Sequence, residues 1–413
     1  MLLDTTAKTP WFAEQWARRF FFNLCAQLTG GELVIREGRD TTCLGSPASD
    51  GLKVEVSVSD IRTYRMLLTG GSNGAAEAFM EGYWEVSDLT SLVRLLLRNR
   101  SELDAMEGGM ASLAGAAAKI WHSLNRNTKA GSRKNIAAHY DLGNEFFELF
   151  LDENLMYSSA VFETGEESLE EASLAKLERI CRKLDLQPQD HLLEIGTGWG
   201  GMALYAAGRY GCKVTTTTIS HEQYSATLAR VKAAGLGRQI NVLKQDYRDL
   251  EGQYDKVVSI EMVEAVGHHY LDGYFAQVSH LLKPDGLAVI QAITIEDSRY
   301  QQALRSVDFI KRYIFPGSFI PCVSVLTGSA AQAGLRLFNL EDIGPSYAQT
   351  LKIWHERFNQ NLDQVRSQGF DERFIRMWQF YLGYCEGGFR ERAISTVHMV
   401  LVKSANRREQ WLA

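Results

Sequence analysis

The sequence predicts an α/β protein built on a Rossmann-like, mostly parallel sheet, with a small α+β domain before it. After residue 135, short apolar strand candidates alternate with helical segments. This alternation is typical of a parallel sheet with helices on both faces. A Gly-rich turn after the first of these strands favours the same fold class. The strand candidates are 191–195, 213–219, 240–244, 254–260 and 286–293, and Thr396 to Val402 is predicted to be an antiparallel edge strand.

The first hundred residues predict a separate helper domain. At 413 residues the chain exceeds the usual size of one hydrophobic core, so two domains are expected. The predicted elements are an aromatic-rich amphipathic helix at 11–28, strands at 32–37 and 52–58, and helices across 60–99. The predicted domains are 1–100 and 136–413, joined by a linker at 101–135.

The predicted linker combines basic and aromatic residues in a stretch rich in Gly, Ala, Ser and Asn. One interpretation is a solvated connector. The other is a patch that binds the headgroups of an anionic membrane surface. The residues concerned are Lys119, Trp121, Arg126, Lys129, Arg133 and Lys134.

Composition and charge argue against several classes of protein. The net charge of −6 argues against a nucleic-acid partner. The six cysteines are scattered without a CxxC pair, so neither a metal site nor a disulfide framework is predicted. The N-terminal residues lack the apolar stretch of a signal peptide, and no apolar run is long enough to span a membrane. We therefore expect a cytoplasmic protein, peripheral to the inner face of the membrane if its substrate is a membrane lipid.

The strongest local signal is the Gly-rich turn that follows the strand at 191–195. Gly196, Gly198 and Gly200 would let the backbone pass close to a ligand at the carboxyl edge of the sheet. Dinucleotide-binding folds use a related loop, so the glycines alone decide little. Glu194 favours S-adenosylmethionine, because its carboxylate would pair with the methionine ammonium and would repel a pyrophosphate. The alternative is that Glu194 only complements a helix N-terminus.

Polar residues after the next two strands extend the expected cofactor site. Asp246 stands where an acidic side chain would accept a hydrogen bond from the adenine amino group, although a simple turn residue is the alternative. The strand at 213–219 ends without the usual acidic ribose ligand. Thr218, Ser220 and Gln223 are available in its place, and each is equally consistent with a helix cap or a surface residue.

Several motifs in one order resemble the cyclopropane-fatty-acyl-phospholipid synthase and mycolic acid cyclopropane synthase family. The likeness covers most of the chain. Residues 79–85 also look like a segment of the bacterial phospholipid enzymes, which favours a phospholipid acyl chain as substrate. The matching residues are His139 to Phe147, Tyr157 to Ala160, Thr218 to Gln223, Asp246 to Leu250, Glu264 with Gly267, Tyr313 to Gly317, Tyr347 with Thr350 and Leu351, and Cys385 with Phe389 and Arg390.

The resemblance implies a methyltransferase that uses S-adenosylmethionine and has a mostly parallel seven-stranded sheet. It implies transfer of the methyl group to the cis double bond of an unsaturated phospholipid acyl chain, and ring closure through a carbocation and loss of a proton. Methyl-branched or methylene products, or another acceptor, are the alternative. A homodimer is also implied. The implied cofactor residues are Tyr157, Ser158, Gly196, Gly198, Thr218, Gln223, Asp246 and Tyr247, and the implied reacting centre contains Glu264, Ile293 and Tyr347.

The chain departs from the family pattern at four positions of one site. Ser159 and Gln291 stand for a cysteine and a histidine that help to hold a bicarbonate ion in the bacterial members. Ala265 stands for another histidine, and Glu261 stands for a small residue. These changes, which resemble those of plant cyclopropane synthases, put bicarbonate binding in doubt. Cys385 matches a cysteine assigned as catalytic in the family, although a structural thiol is the simpler interpretation.

Glu261 is predicted to replace the bicarbonate ion as base or as stabilising charge. Glu261 and Glu264 follow a predicted buried strand, and a helical turn there would place both carboxylates on one face. Two close carboxylates raise the proton affinity of one of them, which suits a general base. Glu264 and Gln291 are predicted to orient Glu261. The alternative is a solvent-exposed carboxylate at a helix N-terminus.

Overall fold

The computed structural model describes residues 10–100, 142–407 and 409. Within these ranges the chain forms two compact units. The first contains 10–100, Ser306–Ile310 and Leu362–Glu391, and the second contains the remaining described residues. Two segments that the sequence places in the main domain therefore belong to the first unit. The predicted linker at 101–135, with its basic residues and Trp121, lies outside the described residues, as does the His139 to Asp141 part of the family motif.

The first unit contains a four-stranded sheet among its described residues. Its strand order is β2-β1-β3-β4, with β1 antiparallel to β2 and parallel to β3. The sequence did not predict β2, which is polar and largely exposed, or β4, which has three residues. Numbered in chain order, the elements are α1 (Pro10–Cys25), β1 (Gly31–Glu37), β2 (Asp40–Ser46), β3 (Lys53–Val58), α2 (Arg62–Met80), β4 (Trp84–Val86), α3 (Leu89–Arg98), α12 (Leu362–Ser367) and α13 (Glu372–Arg390).

Helix α13 belongs to the first unit because its small and polar residues pack against α3 and form a hydrogen bond with it. A Cβ atom added at Gly387 would lie 2.6 Å from a Val93 side-chain carbon, so glycine allows the two helices to approach closely. The Thr90 hydroxyl donates to Oε2 of Glu386 at 2.9 Å. These contacts join residues almost 300 positions apart, a distance at which local pattern gives no signal.

The second unit contains a seven-stranded sheet with the order β10-β11-β9-β8-β5-β6-β7, and the predicted fold class is confirmed. β11 is antiparallel to both β9 and β10, and the pairs among β5, β6, β7, β8 and β9 are parallel. β11 is not the predicted edge strand, because it lies between β9 and the half-exposed strand β10. The strands are β5 (His191–Ile195), β6 (Lys213–Thr218), β7 (Ile240–Lys244), β8 (Tyr254–Ile260), β9 (Leu282–Ile295), β10 (Arg336–Asp342) and β11 (Ile394–Val402).

Helices cover both faces of this sheet. Successive strand residues such as Leu192 and Leu193 belong to different hydrophobic clusters, one on each face, as the alternation of side chains along a strand requires. The helices are α4 (Asn144–Glu148), α5 (Leu169–Lys183), α6 (Gly201–Tyr210), α7 (His221–Ala233), α8 (Leu271–Leu281), α9 (Asp297–Arg305), α10 (Val323–Gln332) and α11 (Gly344–Gln360). In the described ranges, none of the helices has both the length and the apolar character needed to cross a bilayer.

Candidate active site

Glu261 stands at the carboxyl end of β8 in a backbone conformation that is rare for its residue type. Its φ angle of +46° lies in the left-handed region, which costs a non-glycine residue about 1–3 kcal/mol. The N–H of Glu261 donates to the carbonyl of Gln291 at 2.9 Å and continues the β8–β9 ladder. The predicted helical turn starting at Glu261 is therefore wrong, and a 3₁₀ turn begins later, at Val263.

Among the described residues, donors from three segments converge on the Glu261 carboxylate. The backbone N–H of Ser159 (3.0 Å) and the side-chain amide of Gln291 (2.7 Å) donate to Oε1. The Tyr347 hydroxyl donates to Oε2 at 2.7 Å. Burial raises the pKa of Glu261 above its ordinary value, while these donors act in the opposite direction by stabilising the ionised form. Glu261 is thus not the solvent-exposed helix carboxylate of the alternative interpretation.

Ser159 contributes its backbone and not its side chain to this cluster. Its hydroxyl donates to the carbonyl of Ala160 at 2.8 Å, and the residue is fully buried. The N–H of Ala160 donates to the Thr350 hydroxyl of α11 at 3.1 Å, which fixes the loop against the helix that carries Tyr347. The serine that replaces the family cysteine is therefore a support for the loop.

Gln291 lies on β9, where its side chain joins Glu261 to a buried histidine that the sequence did not indicate. Oε1 of Gln291 lies 3.0 Å from Nε2 of His398. Burial and nearby cations lower the pKa of His398 well below its ordinary value, so the imidazole is neutral. A single histidine in the apolar strand β11 is typical of core packing, which is why no signal pointed to it.

Lys176 is a second buried group that the sequence did not indicate. It lies on α5 with no exposed surface, and its Nζ donates to the Ser158 hydroxyl at 2.7 Å. Burial lowers the pKa of Lys176 to about 8, although the charges of Glu261 and Asp152 favour its protonated form. The lysine thus places a cation within electrostatic range of Glu261. The hydroxyl of Ser158, a predicted cofactor residue, accepts this hydrogen bond and can still donate its own proton.

Glu264 lies in the 3₁₀ turn Val263–Ala265 and is held by the next strand. Its Oε1 accepts from the N–H of Ile293 at 2.5 Å, whereas Oε2 is buried and has no hydrogen-bond partner among the described residues. Burial raises the pKa of Glu264, and the negative charge of Glu261 raises it further. Glu264 is therefore the member of this carboxylate pair that retains a proton.

Aromatic rings flank the carboxylate cluster within the second unit. The Tyr157 ring lies 5.4 Å from Trp354 and 6.4 Å from Phe315, measured between centroids. Tyr347, whose hydroxyl donates to Glu261, contacts Trp354 edge to face at 6.2 Å. Rings of this kind attract a positive charge through their negative faces and exclude water.

The Gly-rich loop between β5 and α6 has the backbone that a closely approaching ligand requires. Gly196, Gly198 and Gly200 have φ angles of +100°, +53° and +84°. A Cβ atom at Gly198 would meet nothing within 4 Å, so this glycine borders open space. Cβ atoms at Gly196 and Gly200 would instead meet Met262 and Thr227 at 3.2 and 2.8 Å, so those two glycines also serve packing.

Glu194 lies one residue before the end of β5, the strand that leads into this loop, and its carboxyl group is buried. Oε2 accepts from the Thr216 hydroxyl of β6 at 2.6 Å. Burial raises the pKa of Glu194 to about 8, although the hydrogen bond from Thr216 acts to lower it. A cation beside Glu194 would restore its charge, so the carboxyl group and the open face of Gly198 fit the ammonium end of S-adenosylmethionine.

The other predicted cofactor residues already have partners within the protein. Ser220 caps α7 by accepting from the N–H of Gln223, and the Thr218 hydroxyl donates to Oε1 of Gln223 at 2.8 Å. Asp246 caps a short 3₁₀ turn and pairs with Arg248, with Oδ2 2.7 Å from Nη2. The Tyr247 ring packs against Tyr274 at 5.6 Å. Roles for these residues at the adenosine remain predictions.

Cys385 lies on α13 in the first unit, whereas the carboxylate cluster is built from residues of the second unit. Burial raises the pKa of its thiol far above the ordinary range, so no thiolate forms there. In the same unit, Phe309 packs against Phe380 with their ring centroids 4.7 Å apart. Within the described residues, no group of His, Cys, Asp or Glu could hold a metal ion.

Comparisons with known proteins agree with this fold and loop. Residues 127–399 match the mycolic acid cyclopropane synthetase family. The chain is 37% identical over 341 residues to a tuberculostearic acid methyltransferase of Mycobacterium tuberculosis, covering 81% of this chain and 79% of that protein. It is 35% identical over 351 residues to the cyclopropane-fatty-acyl-phospholipid synthase of Escherichia coli, covering 84% and 87%.

A solved structure gives the same result in three dimensions. A mycolic acid cyclopropane synthase complexed with SAH and CTAB superposes with a TM-score of 0.62 at 29% identity, covering 66% of this chain and 98% of that one. Together with the Gly-rich loop and Glu194, these matches show that the chain belongs to the mycolic acid cyclopropane synthetase family and is a methyltransferase that uses S-adenosylmethionine as co-substrate.

Proposed function

We propose that the protein methylates the cis double bond of an unsaturated phospholipid acyl chain and closes a cyclopropane ring. The observation that carries this proposal is the Glu261 carboxylate, held by three donors beside the aromatic rings of Tyr157, Tyr347 and Trp354. Ring closure needs a base that removes one proton without offering a nucleophile such as water, and Glu261 meets that need.

S-adenosylmethionine, when bound, would supply an electrophilic methyl group. The alkene electron pair would bond to that carbon while the carbon–sulfur pair leaves with the sulfur of S-adenosylhomocysteine. The attack leaves a positive charge on the second acyl carbon. The ring of Tyr157, which is partly exposed and is backed by the fully buried Trp354, can stabilise that charge through its face by about 0.5–2 kcal/mol. Because the same rings exclude water, the cation is not captured as an alcohol.

Glu261 then accepts a proton from the newly attached methyl group. The electron pair of the broken C–H bond forms the third bond of the ring, so the acyl chain ends neutral. The Tyr347 hydroxyl and the Gln291 amide hold the carboxylate in place for this step, and Lys176 balances its charge. This arrangement replaces the bicarbonate ion of the bacterial members with a carboxylate of the chain itself.

A product without a ring is the second candidate, because a relative at 37% identity is named a tuberculostearic acid methyltransferase and others at 29–32% are named sphingolipid C9-methyltransferases. The carbocation is common to both outcomes. Loss of a proton from the new methyl group closes the ring. A methylene group forms if a 1,2-hydride shift first moves the cation to the carbon that bears the methyl group, and a methyl branch requires a hydride from a separate reduced co-substrate.

Lipid analysis of a host that lacks such enzymes and expresses this protein tests the proposal. We expect acyl chains heavier by one CH₂ group, with the cyclopropane signals of ring protons in NMR spectra. The Glu261→Gln variant serves as the control for endogenous products. Chains heavier by CH₂ plus two hydrogens would identify methyl branching, and unchanged lipids would contradict methylation of phospholipids.

Peripheral contact with an anionic membrane surface on the cytoplasmic side, and a homodimer, complete the proposal. The membrane contact is supported by the basic residues of 101–135 beside Trp121, each contributing about 1 kcal/mol near an anionic surface. Flotation with anionic vesicles should weaken with salt and after neutralisation of Lys129, Arg133 and Lys134. Unchanged flotation would indicate that this segment is only a connector.

Light scattering tests the proposed homodimer.

A further inference from the structure

His398 lies directly opposite Gln291 in the sheet. β11 and β9 are antiparallel, and their register pairs these two residues. His398 is fully buried, with Nε2 3.0 Å from Oε1 of Gln291. The Gln291 side chain therefore has a partner at each end, the imidazole on one side and the Glu261 carboxylate on the other.

The carboxylate of Glu261 determines the direction of each hydrogen bond in the series Glu261–Gln291–His398. An ionised Glu261 can only accept, so the NH₂ group of Gln291 must face it and the amide oxygen must face His398. The imidazole must then carry its hydrogen on Nε2. Nδ1 is left as an acceptor with no hydrogen-bond partner among the described residues, and Oε2 of Glu341 lies 4.0 Å from it.

We propose that His398 is a positioning residue for the base, because it fixes the Gln291 amide in the orientation that donates to Glu261. This inference rests on the proposed role of Glu261. A reversed amide would point its oxygen at the carboxylate and replace a charge-assisted hydrogen bond with repulsion. The Ser159 carbonyl, 3.5 Å from Nε2 of Gln291, favours the same orientation at the NH₂ end, and His398 opposes the reversal at the oxygen end.

The charged groups near His398 favour the neutral imidazole that this role requires. Helix α5 presents cations to His398, and a protonated ring would face both them and the loss of solvation. The charged groups that face His398 are Lys176, Arg179, Lys183 and Glu341. The titratable groups that face Glu261 are Lys176, Glu264 and Tyr347.

The tautomer can be measured on the wild-type protein. We expect ¹⁵N NMR of histidine-labelled protein to show His398 as a neutral ring protonated on Nε2, across the pH range in which exposed histidines titrate. The His398→Gln variant assigns the resonance. A ring protonated on Nδ1, or a ring that titrates with the exposed histidines, would overturn the inference even if no variant folded.

A double-mutant cycle tests whether His398 acts through Gln291. His398→Leu should lower kcat roughly tenfold to a hundredfold, with the KM for S-adenosylmethionine unchanged. The acid limb of the kcat profile should move to higher pH, because the Gln291 amide can then turn its NH₂ group away from Glu261. His398→Gln should recover much of the rate. In a Gln291→Leu background, His398→Leu should cause no further loss. Additive losses or an unmoved acid limb would contradict the positioning role.

The outcomes separate this inference from the function on which it rests. Near-normal turnover of Glu261→Gln would refute the proposed base, and the positioning role with it. An inactive Glu261→Gln combined with additive losses at His398 and Gln291 would leave the base intact and refute the role of His398 alone.

Discussion

Replacing Glu261 with glutamine removes a proton acceptor while preserving the shape of the side chain. The new amide oxygen can accept from the N–H of Ser159 and from Gln291, as Oε1 does now. Its NH₂ group would face the Tyr347 hydroxyl, which can rotate and accept, because a phenol both donates and accepts. The structure therefore predicts a folded variant, with the buried negative charge as the main loss.

The expected effect on turnover follows from the loss of a general base. Such a group contributes roughly 10²–10⁴ in rate, so kcat should fall by at least about a hundredfold, equivalent to about 2.7 kcal/mol. Binding of S-adenosylmethionine should be unchanged, because Glu194 and the Gly-rich loop are intact. Turnover is measured on vesicles of unsaturated phospholipid, and cofactor binding by calorimetry on the same preparation.

Glu356→Gln is a matched control, because Glu356 lies on α11 with an exposed side chain and only an i,i+4 pair to Lys352. It should turn over like the wild type. A near-normal kcat for Glu261→Gln would refute the reasoning. So would a wild-type enzyme that strictly requires added bicarbonate.

Further predictions concern the carboxylate clamp and the cofactor loop. Tyr347→Phe keeps the ring but loses the donor to Glu261, so kcat should fall roughly tenfold or more; Tyr205→Phe, which loses a 2.8 Å bond to Glu178 elsewhere in the unit, should not lower it. Gly198→Val should abolish the binding of S-adenosylmethionine measured by calorimetry. Gly165→Val is the control, because Gly165 also has a positive φ (+87° against +53°) and open surroundings, and this variant should bind normally. Equal losses of binding in both variants would indicate unfolding and not a blocked site.

Proton release on cofactor binding provides a pH-dependent test of Glu194. With a pKa raised to about 8, the free carboxyl group is mostly protonated at neutral pH, and an ammonium beside it lowers that pKa. Binding should then release up to one proton, and affinity should increase as the pH rises toward about 8. Calorimetry in buffers of different ionisation enthalpy measures the release, which Glu194→Gln should remove; release unaffected by this change would place the ammonium elsewhere.

The sequence determined those features that are local in the chain. The β5 to α6 segment combines an apolar strand, Glu194 and three glycines within a few residues, and the structure gives the glycines the positive φ angles that their motif requires. The parallel strands from β5 to β9 were predicted to within a few residues, because buried parallel strands are short apolar runs between turns. The departures at Glu261, Ser159 and Gln291 were predicted to share one site, and the structure brings these three residues into contact.

Tertiary structure alone decided how that site is assembled. Glu261 reaches Ser159 and Tyr347 across 102 and 86 residues, and its left-handed backbone conformation, not a helical turn, makes this possible. Lys176 and His398 enter because strand register and helix packing bury them there, and an isolated lysine or histidine in an apolar element carries no sequence signal. Charge in a buried site depends on neighbours brought together from distant parts of the chain, and only the folded structure specifies those neighbours.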